Sequence, residues 1–351
     1  MRIVVLMGGT SSERDVSLAS GLRIARALRE RGHDVEAIDT VRGVLTSGDE
    51  TAMLQAGVMR ALPPDRASLA SLGARTLPSA VQRLTVEHRP DLVFLALHGG
   101  QGEDGTIQAL LDLTGVPYTG SGHLASALAM DKDLSKRLFR SAGVPTPDWE
   151  LIRKADTTAW KSPAYAEHVA STLGIPVVVK PSKEGSTVGL TLVKSPPDLA
   201  GAIAEAFTHD DEVMVERFVA GRELTVGILG DRALPVGEII PAHELYDYEC
   251  KYTPGMAREV FPADLTSDQA NSIQDLALRA FRVLKLTGYA RIDFRMTEGG
   301  EFLCLEANTL PGMTELSLIP QAAAADGISF PGLCERIAQL ALQAHSGGAN
   351  A

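Results

Sequence analysis

Cysteines are few in this chain, and long apolar runs are absent. The three cysteines, Cys250, Cys304 and Cys334, have no metal-binding spacing, and their odd number fits no disulfide framework. No apolar run approaches the ~20 residues of a membrane helix. The apolar run at the N-terminus has the length of a strand and is too short for a signal peptide. These features predict a reduced, cytoplasmic protein with no membrane partner.

An excess of positive charge is also missing. The chain has 33 Lys and Arg residues against 44 Asp and Glu residues, for a formal net charge of −11. A nucleic-acid-binding surface needs clustered Lys and Arg, so we expect no nucleic-acid partner. A few local cations are nevertheless enough to bind a nucleotide. The length of 351 residues predicts two or three domains.

Several familiar motifs are absent as well. The order Gly-x-x-x-x-Gly-Lys-Ser/Thr of a Walker A loop does not occur. Gly8 and Gly9 follow the first predicted strand but lack the order Gly-x-Gly-x-x-Gly, which makes a reductase the weakest hypothesis. Ser186 is not in the Gly-x-Ser-x-Gly context of a hydrolytic nucleophile. Candidate chemistry therefore has to come from carboxylates, lysines and other glycine-rich loops.

The pattern of elements predicts a mixed α/β protein. In the first 120 residues, strands at 2–7, 35–38 and 91–97 alternate with helices, which indicates a parallel α/β sheet. Later predicted strands lie at residues 177–180, 212–218, 224–229 and 234–241, and later predicted helices at 125–142, 267–284 and 331–344. Residues 241–262 read as a long polar loop, and ordered loops of that length are usually lids or binding loops.

The most informative segment is a predicted hairpin near the C-terminus. A favoured two-residue turn centred on Gly299-Gly300 pairs Arg291 with Asn308 and Asp293 with Glu306. Because side chains at i and i+2 share a face of a strand, the four polar groups should lie together. The opposite, core-facing side would carry Ile292, Phe294, Leu305 and Ala307.

Two carboxylates that face each other in a sheet repel, and a divalent cation offsets that repulsion. Oxygens of Asp, Glu and Asn are ligands that Mg²⁺ accepts. The sequence therefore indicates a metal site at Asp293, Glu306 and Asn308. The simpler alternative is a salt-bridged sheet face in which Arg291 neutralises one acid.

Further candidates lie in the central third of the chain. Lys180 ends an apolar strand and precedes a loop with Gly185 and Gly189, whose backbone N–H groups could approach phosphate oxygens. The alternative to a phosphate site is a flexible surface hairpin, with the Lys180 side chain extended along it so that the ammonium reaches water. Lys132 starts a helix, and Glu216 and Glu223 flank a turn. A solvated surface role is the simple alternative for these three residues.

Two N-terminal candidates are Glu13 and His98. Glu13 follows the first glycine-rich turn, where it could simply complement a helix dipole. His98 precedes Gly99-Gly100, and we expect it to be structural or substrate-orienting rather than a general base.

These segments together resemble the ATP-grasp superfamily and, within it, the D-alanine–D-alanine ligases. The matching segments are residues 8–17, His98 with 102–105, 117–122, 130–132, 179–189, 246–252, 291–293 and 305–314. Residues 41–90 depart from the pattern. The resemblance implies an N-terminal parallel α/β domain at 1–120, a central ATP-grasp subdomain at 121–217, and an α+β C-terminal subdomain at 218–346 with the metal site and a lid loop.

The resemblance also implies an activity. Members of this family join two D-alanines at the expense of ATP, through a D-alanyl phosphate, for peptidoglycan precursor synthesis. ATP would be the cosubstrate, with two Mg²⁺ or Mn²⁺ ions at Asp293, Glu306 and Asn308. The family also implies a homodimer.

Site roles follow from the matching motifs. ATP would contact Lys132, Lys180, Ser186, Glu216, Arg217, Phe218, Val219, Glu223 and Lys251. The substrates would contact Glu13, His98, Ser317 and Leu318. The catalytic groups would be Glu13, Ser186, Tyr252, Arg291 and Gly312, where Arg291 and the Gly312 N–H stabilise the transferring phosphoryl group and the oxyanion.

Three alternatives stay open at this point. The chain could make D-alanyl-D-lactate or D-alanyl-D-serine, although the loop with Tyr252 is similar to that of the relatives that form the dipeptide. It could be another ATP-grasp carboxylate–amine ligase. It could also be a nucleotide-binding module without catalysis, against which the complete metal set and Arg291 argue.

Overall fold

The structure is a computed structural model that describes residues 1–56, 69, 81, 89–155, 158–242, 253 and 255–348. The motif at residues 246–252, with Lys251 and Tyr252, lies outside the described residues.

The described chain contains both helices and strands throughout its length. The strands are β1 (Arg2–Met7), β2 (Asp34–Asp39), β3 (Gly43–Val44), β4 (Leu92–Leu95), β5 (Trp149–Arg153), β6 (Val177–Pro181), β7 (Thr191–Val193), β8 (Glu212–Arg217), β9 (Arg222–Leu229), β10 (Arg232–Ala233), β11 (Gly237–Pro241), β12 (Ala257–Val260), β13 (Tyr289–Met296) and β14 (Phe302–Asn308). The helices are α1 (Arg14–Glu30), α2 (Ser47–Ala56), α3 (Thr106–Asp112), α4 (His123–Met130), α5 (Lys132–Ser141), α6 (Pro163–Thr172), α7 (Leu199–Ala206), α8 (Ser267–Val283), α9 (Leu318–Ala325) and α10 (Phe330–Gly348). Among the helices described, none combines the length and apolar character needed to cross a bilayer.

The N-terminal sheet has the strand order β3-β2-β1-β4. Strands β2, β1 and β4 are parallel, as predicted, and β3 adds an antiparallel edge. Helix α1 follows β1 and stops before Gly32, whose φ of +83° suits a left-handed helix end. Because the carboxyl ends of parallel strands meet at one edge, the loops after β1 and β4 come together there.

The core of this sheet continues into the C-terminal part of the chain. Apolar residues of β1 and β4 share one buried cluster with Ile319 of α9 and Ile337 of α10. The end of the chain therefore packs against its beginning. The domain limits near residues 120 and 217 stay predictions.

The central sheet is antiparallel, with the order β5-β8-β6-β7. Its apolar face packs against α6 and α7 through residues such as Val169 and Ile203. The single helix predicted at residues 125–142 is wrong, because α4 and α5 are separate helices. Asp131 interrupts them in an extended conformation, and its side chain accepts a hydrogen bond from the Leu134 N–H at 3.0 Å, which caps α5.

The largest sheet has the order β12-β11-β9-β13-β14, with β10 beside β9. The prediction of one long loop over residues 241–262 is wrong at its C-terminal end, because β12 pairs there with β11. Helix α8 covers this sheet with Ile273, Ala277 and Phe281. It begins with a capping box between Thr266 and Gln269, which fixes its first turn.

The predicted hairpin exists, but its turn differs from the prediction. The Gly300 N–H donates to the Thr297 carbonyl at 2.9 Å and Gly300 has a φ of +83°. The Thr297 N–H donates to the Glu301 carbonyl, so the loop contains three residues rather than two.

A β-bulge next to Asp293 restores the predicted register. Phe294 pairs with Cys304 while Asp293 pairs with Glu306, so Leu305 has no partner across the ladder. Cys304 is fully buried in the core, whereas Leu305, predicted to be a core residue, lines a cavity instead. The pairs Arg291–Asn308 and Asp293–Glu306 are nevertheless confirmed.

Candidate active site

Two adjoining cavities lie where the three sheets meet. The sheet cavity encloses about 940 Å³ open to solvent between β6, β8, β13, β14 and the loop of residues 182–190. The loop cavity encloses about 860 Å³ beside the loops that follow β1, β4 and β14. Residues that line both cavities are Lys132, Glu184, Gly185, Ser186, Arg291 and Glu306.

The hairpin forms one wall of the sheet cavity. Asp293 accepts hydrogen bonds from Arg291 Nη2 at 2.9 Å, Asn308 Nδ2 at 3.0 Å and Thr225 Oγ1 at 2.7 Å. Glu306 lies 3.4 Å from the Lys132 ammonium. Each carboxylate thus has a cationic partner. The hairpin face therefore has the salt bridge between Arg291 and Asp293 that was the simpler alternative to a metal site, and it also brings the predicted metal ligands together.

The donor set fits a hard divalent cation. No cluster of three or more His, Cys, Asp and Glu side chains suited to a metal occurs among the described residues. A cation here would use the Asp293 and Glu306 carboxylates and the Asn308 carbonyl oxygen. Mg²⁺ is commonly held by one or two carboxylates plus substrate phosphates, so this small set is sufficient beside a nucleotide.

A buried charge cluster, Lys136–Glu216–Lys180, lies at the sheet cavity, which Glu216 and Lys180 line and from which Lys136 is set back. Glu216 is 3% exposed and accepts from Lys180 Nζ at 2.8 Å and from Lys136 Nζ at 2.5 Å. Burial acts to raise the pKa of Glu216, but the two lysines outweigh it and lower that pKa below its usual value. Burial lowers the pKa of Lys136 to about 8. Sequence reasoning missed Lys136, although it follows Lys132 at the i+4 spacing of one helix face.

Arg295 is a second residue at the sheet cavity that was not predicted from the sequence. It lines the sheet cavity, donates from Nη1 to Glu223 at 3.0 Å and from Nε to the Val219 carbonyl at 3.0 Å, and lies 5.7 Å from the ring centre of Phe218. The signal was available, since Arg295 is two residues after Asp293 on the same strand face. It holds together Phe218, Val219 and Glu223, which were predicted to bind ATP.

The loop at residues 182–190 reaches from the central sheet toward the loop after β1 of the N-terminal sheet. Ser186 and Thr187 have φ of +48° and +62°, which is unfavourable for non-glycine residues and is often found at functional loops. The Ser186 hydroxyl donates to the Glu13 carboxylate. A Cβ on Gly185 would lie 2.8 Å from Glu13 Oε2, so a larger residue there would displace the carboxylate.

Glu13 is placed by the loop after β1, which a buried ion pair anchors. Arg14 donates from Nη2 to Asp39 Oδ2 at 2.6 Å and from Nη1 to the Gly9 carbonyl at 2.9 Å. A Cβ on Gly8 would lie 2.4 Å from Asp39 Oδ1, which explains the glycine there. Glu13 is 8% exposed and is held at the wall of the loop cavity.

His98 uses both ring nitrogens to hold protein groups. Its Nδ1 lies 2.7 Å from the Leu310 carbonyl, which can only accept, so Nδ1 carries the proton. Its Nε2 lies 3.1 Å from the Ser20 hydroxyl, which also accepts from the Met313 N–H at 3.0 Å. Burial lowers the pKa of His98, which favours the neutral ring. The imidazole therefore positions the loop that carries Gly312.

Glu103 supports the same loop from the other side and was missed as a site residue. Its carboxylate accepts from the Gly99 N–H and the Leu310 N–H, both at 2.9 Å. Burial and the nearby Glu13 raise its pKa to about 7. The motif at residues 102–105 was the available signal, but a backbone-holding role depends on loop contacts that sequence spacing does not give.

The far wall of the loop cavity is the N-terminus of α9. Ser317 Oγ accepts from the Thr314 N–H at 2.9 Å and lies 2.8 Å from Thr314 Oγ1. A Cβ on Gly312 would lie 2.7 Å from Ser317 Oγ. Leu318 is the first residue of the helix, and backbone N–H groups at helix N-termini attract anions.

Two family models match the chain. The one described as D-ala D-ala ligase N-terminus matches residues 2–121, and the one described as D-ala D-ala ligase C-terminus matches residues 138–339. The D-alanine–D-alanine ligase of Geobacter sulfurreducens is 43% identical over 337 residues, which cover 96% of this chain and 92% of that relative. That of Aquifex aeolicus is 43% identical over 333 residues, which cover 94% of this chain and 97% of the relative.

Solved structures of such ligases are also similar. The D-alanine–D-alanine ligase from Bacillus anthracis has a TM-score of 0.77 at 31% identity, covering 99% of this chain and 99% of that one. The ligase from Coxiella burnetii has a TM-score of 0.77 at 28% identity, covering 100% of this chain and 97% of that one. The fold is thus the predicted ATP-grasp fold, and the chain belongs to the D-alanine–D-alanine ligase family.

Proposed function

We propose that the two cavities together join two D-alanines to D-alanyl-D-alanine, with ATP converted to ADP and phosphate, in the supply of peptidoglycan precursors. The family to which the chain belongs uses ATP and a divalent metal. The observation that carries the proposal is that Lys132, Ser186, Arg291 and Glu306 line both cavities. A phosphoryl group in one cavity and a carboxylate in the other would meet beside these side chains.

ATP would lie in the sheet cavity. Lys180, Lys132 and Lys251 would contact its phosphates, and the positive-φ loop with Ser186 would cover them. Glu216, with the backbone of Arg217, Phe218 and Val219, would hold the adenine, and Glu223 would bind the ribose. All of these residues except Lys251, which lies outside the described residues, line the sheet cavity.

Asp293, Glu306 and Asn308 would hold the metal, for which we propose two Mg²⁺ or Mn²⁺ ions. When bound, such ions neutralise the negative charge of the phosphate groups. Arg291 donates to Asp293 in the structure, and its guanidinium would turn toward the transferring phosphoryl group.

The loop cavity would hold the two D-alanines. The Glu13 carboxylate would accept from the ammonium group of the first, and Ser186 keeps Glu13 in place by its hydrogen bond. The Ser317 hydroxyl and the Leu318 N–H at the start of α9 would receive the carboxylate of the second. His98 would act through the Leu310 carbonyl that it binds and, by way of the Ser20 hydroxyl, through the Met313 N–H.

The reaction then needs two transfer steps, each with one bond formed and one broken. A carboxylate oxygen of the first D-alanine bonds to the γ-phosphorus as the bond to ADP breaks, which gives an acyl phosphate. The amine of the second D-alanine attacks the acyl carbon, a proton leaves the nitrogen, and phosphate departs. The Arg291 guanidinium and the Gly312 N–H would stabilise the negative oxygen, and loss of one such donor typically costs about 3 kcal/mol.

The remaining predictions complete the proposal. Tyr252 would close over the cleft, exclude water and favour an amine over D-lactate as the second substrate. We propose a cytoplasmic location, for which the buried, unpaired Cys304 and Cys334 give modest support. We also propose a homodimer, on the family resemblance alone.

The test is phosphate release from ATP with D-alanine, D-lactate, D-serine or L-alanine as the added substrate. D-Alanine should give rapid release together with the dipeptide in mass spectrometry, and L-alanine should give background release. Strong release with L-alanine would favour another carboxylate–amine ligase. ATP binding without phosphate release would favour a non-catalytic module and overturn the proposal.

A further inference from the structure

Lys136 is fully buried beside the sheet cavity, and the chemistry proposed above gives it no task. Its side chain is 0% exposed, and its ammonium lies 2.5 Å from Glu216 Oε2 and 4.9 Å from the ring centre of Trp149. An unpaired ammonium at such a depth would be very unfavourable. A methionine of similar length would fill the same space without that cost, so packing alone does not explain a lysine here.

The surroundings of Glu216 suggest what the lysine does. Glu216 gives one carboxylate oxygen to Lys136 and the other to Lys180. Of the two lysines, Lys180 lines the sheet cavity and Lys136 does not. With Lys136 present, the cluster has two positive charges and one negative charge. Without it, Lys180 and Glu216 would form a neutral pair.

We propose that Lys136 is a positioning residue that offsets the charge of Glu216. The cluster of Lys136, Glu216 and Lys180 then keeps a net positive charge, which Lys180 presents to the phosphates of the nucleotide. This inference rests on the proposed binding of ATP in the sheet cavity. The field of an unneutralised charge falls off slowly in a poorly solvated site, so Lys136 would favour phosphate binding without touching the ligand.

The test is a set of dissociation constants for ATP, ADP, AMP and adenosine, measured by calorimetry at neutral pH with Mg²⁺. Lys136→Met should weaken ATP by about tenfold and ADP by less, with adenosine changed by less than about twofold. A lysine that only supports the fold would weaken all four ligands equally. Equal weakening, or no change for ATP, would overturn the inference.

A matched control removes a second cation that lies near the same tryptophan. Arg140 lies 4.4 Å from the Trp149 ring centre and pairs with Asp148 on the surface. Arg140→Met should therefore leave the whole nucleotide series within about twofold of the unmodified protein. A phosphate-dependent loss in this variant would mean that the effect arises from Trp149 and would contradict the role of Lys136.

A double variant keeps the inference testable if Lys136→Met folds poorly. In Lys136→Met/Glu216→Gln the acid is neutral as well, so Lys180 is again an uncompensated cation. Its ratio of adenosine to ATP dissociation constants should return close to that of the unmodified protein, and a ratio that stays low would overturn the inference. If the unmodified protein binds no nucleotide, the proposed function fails instead.

Discussion

The two cavities are built in different ways. In the sheet cavity, charged side chains project from strands and pair with one another, as Lys180 does with Glu216 and Arg291 with Asp293. In the loop cavity, side chains hold main-chain groups: His98 and Glu103 both bind the backbone of Leu310. The groups proposed to meet the substrate there include backbone N–H groups.

This difference predicts two kinds of mutational outcome. Charged side chains on the strands of the sheet cavity can exchange their protein partners for a ligand. Their substitution should therefore lower activity with little change in stability. Side chains that hold loops satisfy buried backbone groups, and leaving those groups unpaired costs stability. Their loss should therefore lower stability and activity together.

The largest expected effect tests the sheet cavity. Asp293→Asn keeps an oxygen that can accept from Thr225 and Arg291 but removes the negative charge proposed to bind metal. We expect phosphate release to fall by about 10³-fold, the upper part of the range for lost electrostatic stabilisation. The melting temperature should change by only a few degrees, as judged by scanning calorimetry. Retained metal-dependent turnover would contradict the proposed site.

The sheet cavity was also the more predictable of the two. The period of two along β13 places Arg291, Asp293 and Arg295 on one face, and cross-strand pairing brings Asn308 and Glu306 opposite them. The turn was predicted one residue too short, and the bulge at Leu305 was missed. These two errors cancel at the site. The longer turn shifts the pairing of β13 with β14 by one residue relative to the prediction, and the extra residue Leu305 in β14 shifts it back before Asp293.

The loop cavity was predictable only through resemblance. Nothing in the spacing of Ser20, His98 and Glu103 shows that they meet the loop at residues 309–314, more than 200 positions away from each of them. The contacts depend on the packing of the C-terminal segment against the first sheet. The break at Asp131 was missed for a different reason: it is a local helix cap, and the apolar pattern of residues 125–142 is the same with or without it.

A smaller effect tests the loop cavity. Ser20→Ala removes the hydroxyl that binds both the Met313 N–H and His98 Nε2, and it leaves a buried N–H without its partner. We expect a loss of about 2 kcal/mol in the free energy of unfolding, together with about a tenfold lower kcat because Gly312 shifts. Denaturant unfolding and phosphate release would measure the two quantities.

A buried serine outside the cleft provides the control. Ser126 donates from its hydroxyl to the Ser121 carbonyl at 3.3 Å and lines neither cavity. Ser126→Ala should lower stability while leaving kcat within about twofold. Equal losses of kcat in both variants would show that activity simply follows stability and would remove the distinction between the cavities.

The smallest expected effect is a pH dependence that arises at Glu103 in the loop cavity. Burial beside Glu13 raises the pKa of Glu103 to about 7, well above its usual value of 4.5. The folded state therefore binds a proton that the unfolded state has lost, and this contribution to stability disappears as the pH rises through 7. From pH 6 to pH 8 the loss should be at most about 1.4 kcal/mol, the equivalent of one pKa unit.

Glu103→Gln, which cannot ionise, isolates that contribution. As the pH rises over that interval, the unfolding free energy of the unmodified protein should fall relative to that of this variant. A control substitution outside both cavities, Asp49→Asn, should leave the corresponding difference flat over the same interval, because hydrogen bonds from Thr46 lower the pKa of Asp49. A flat difference for Glu103→Gln would mean that the two N–H donors from Gly99 and Leu310 keep the carboxylate ionised in spite of its burial.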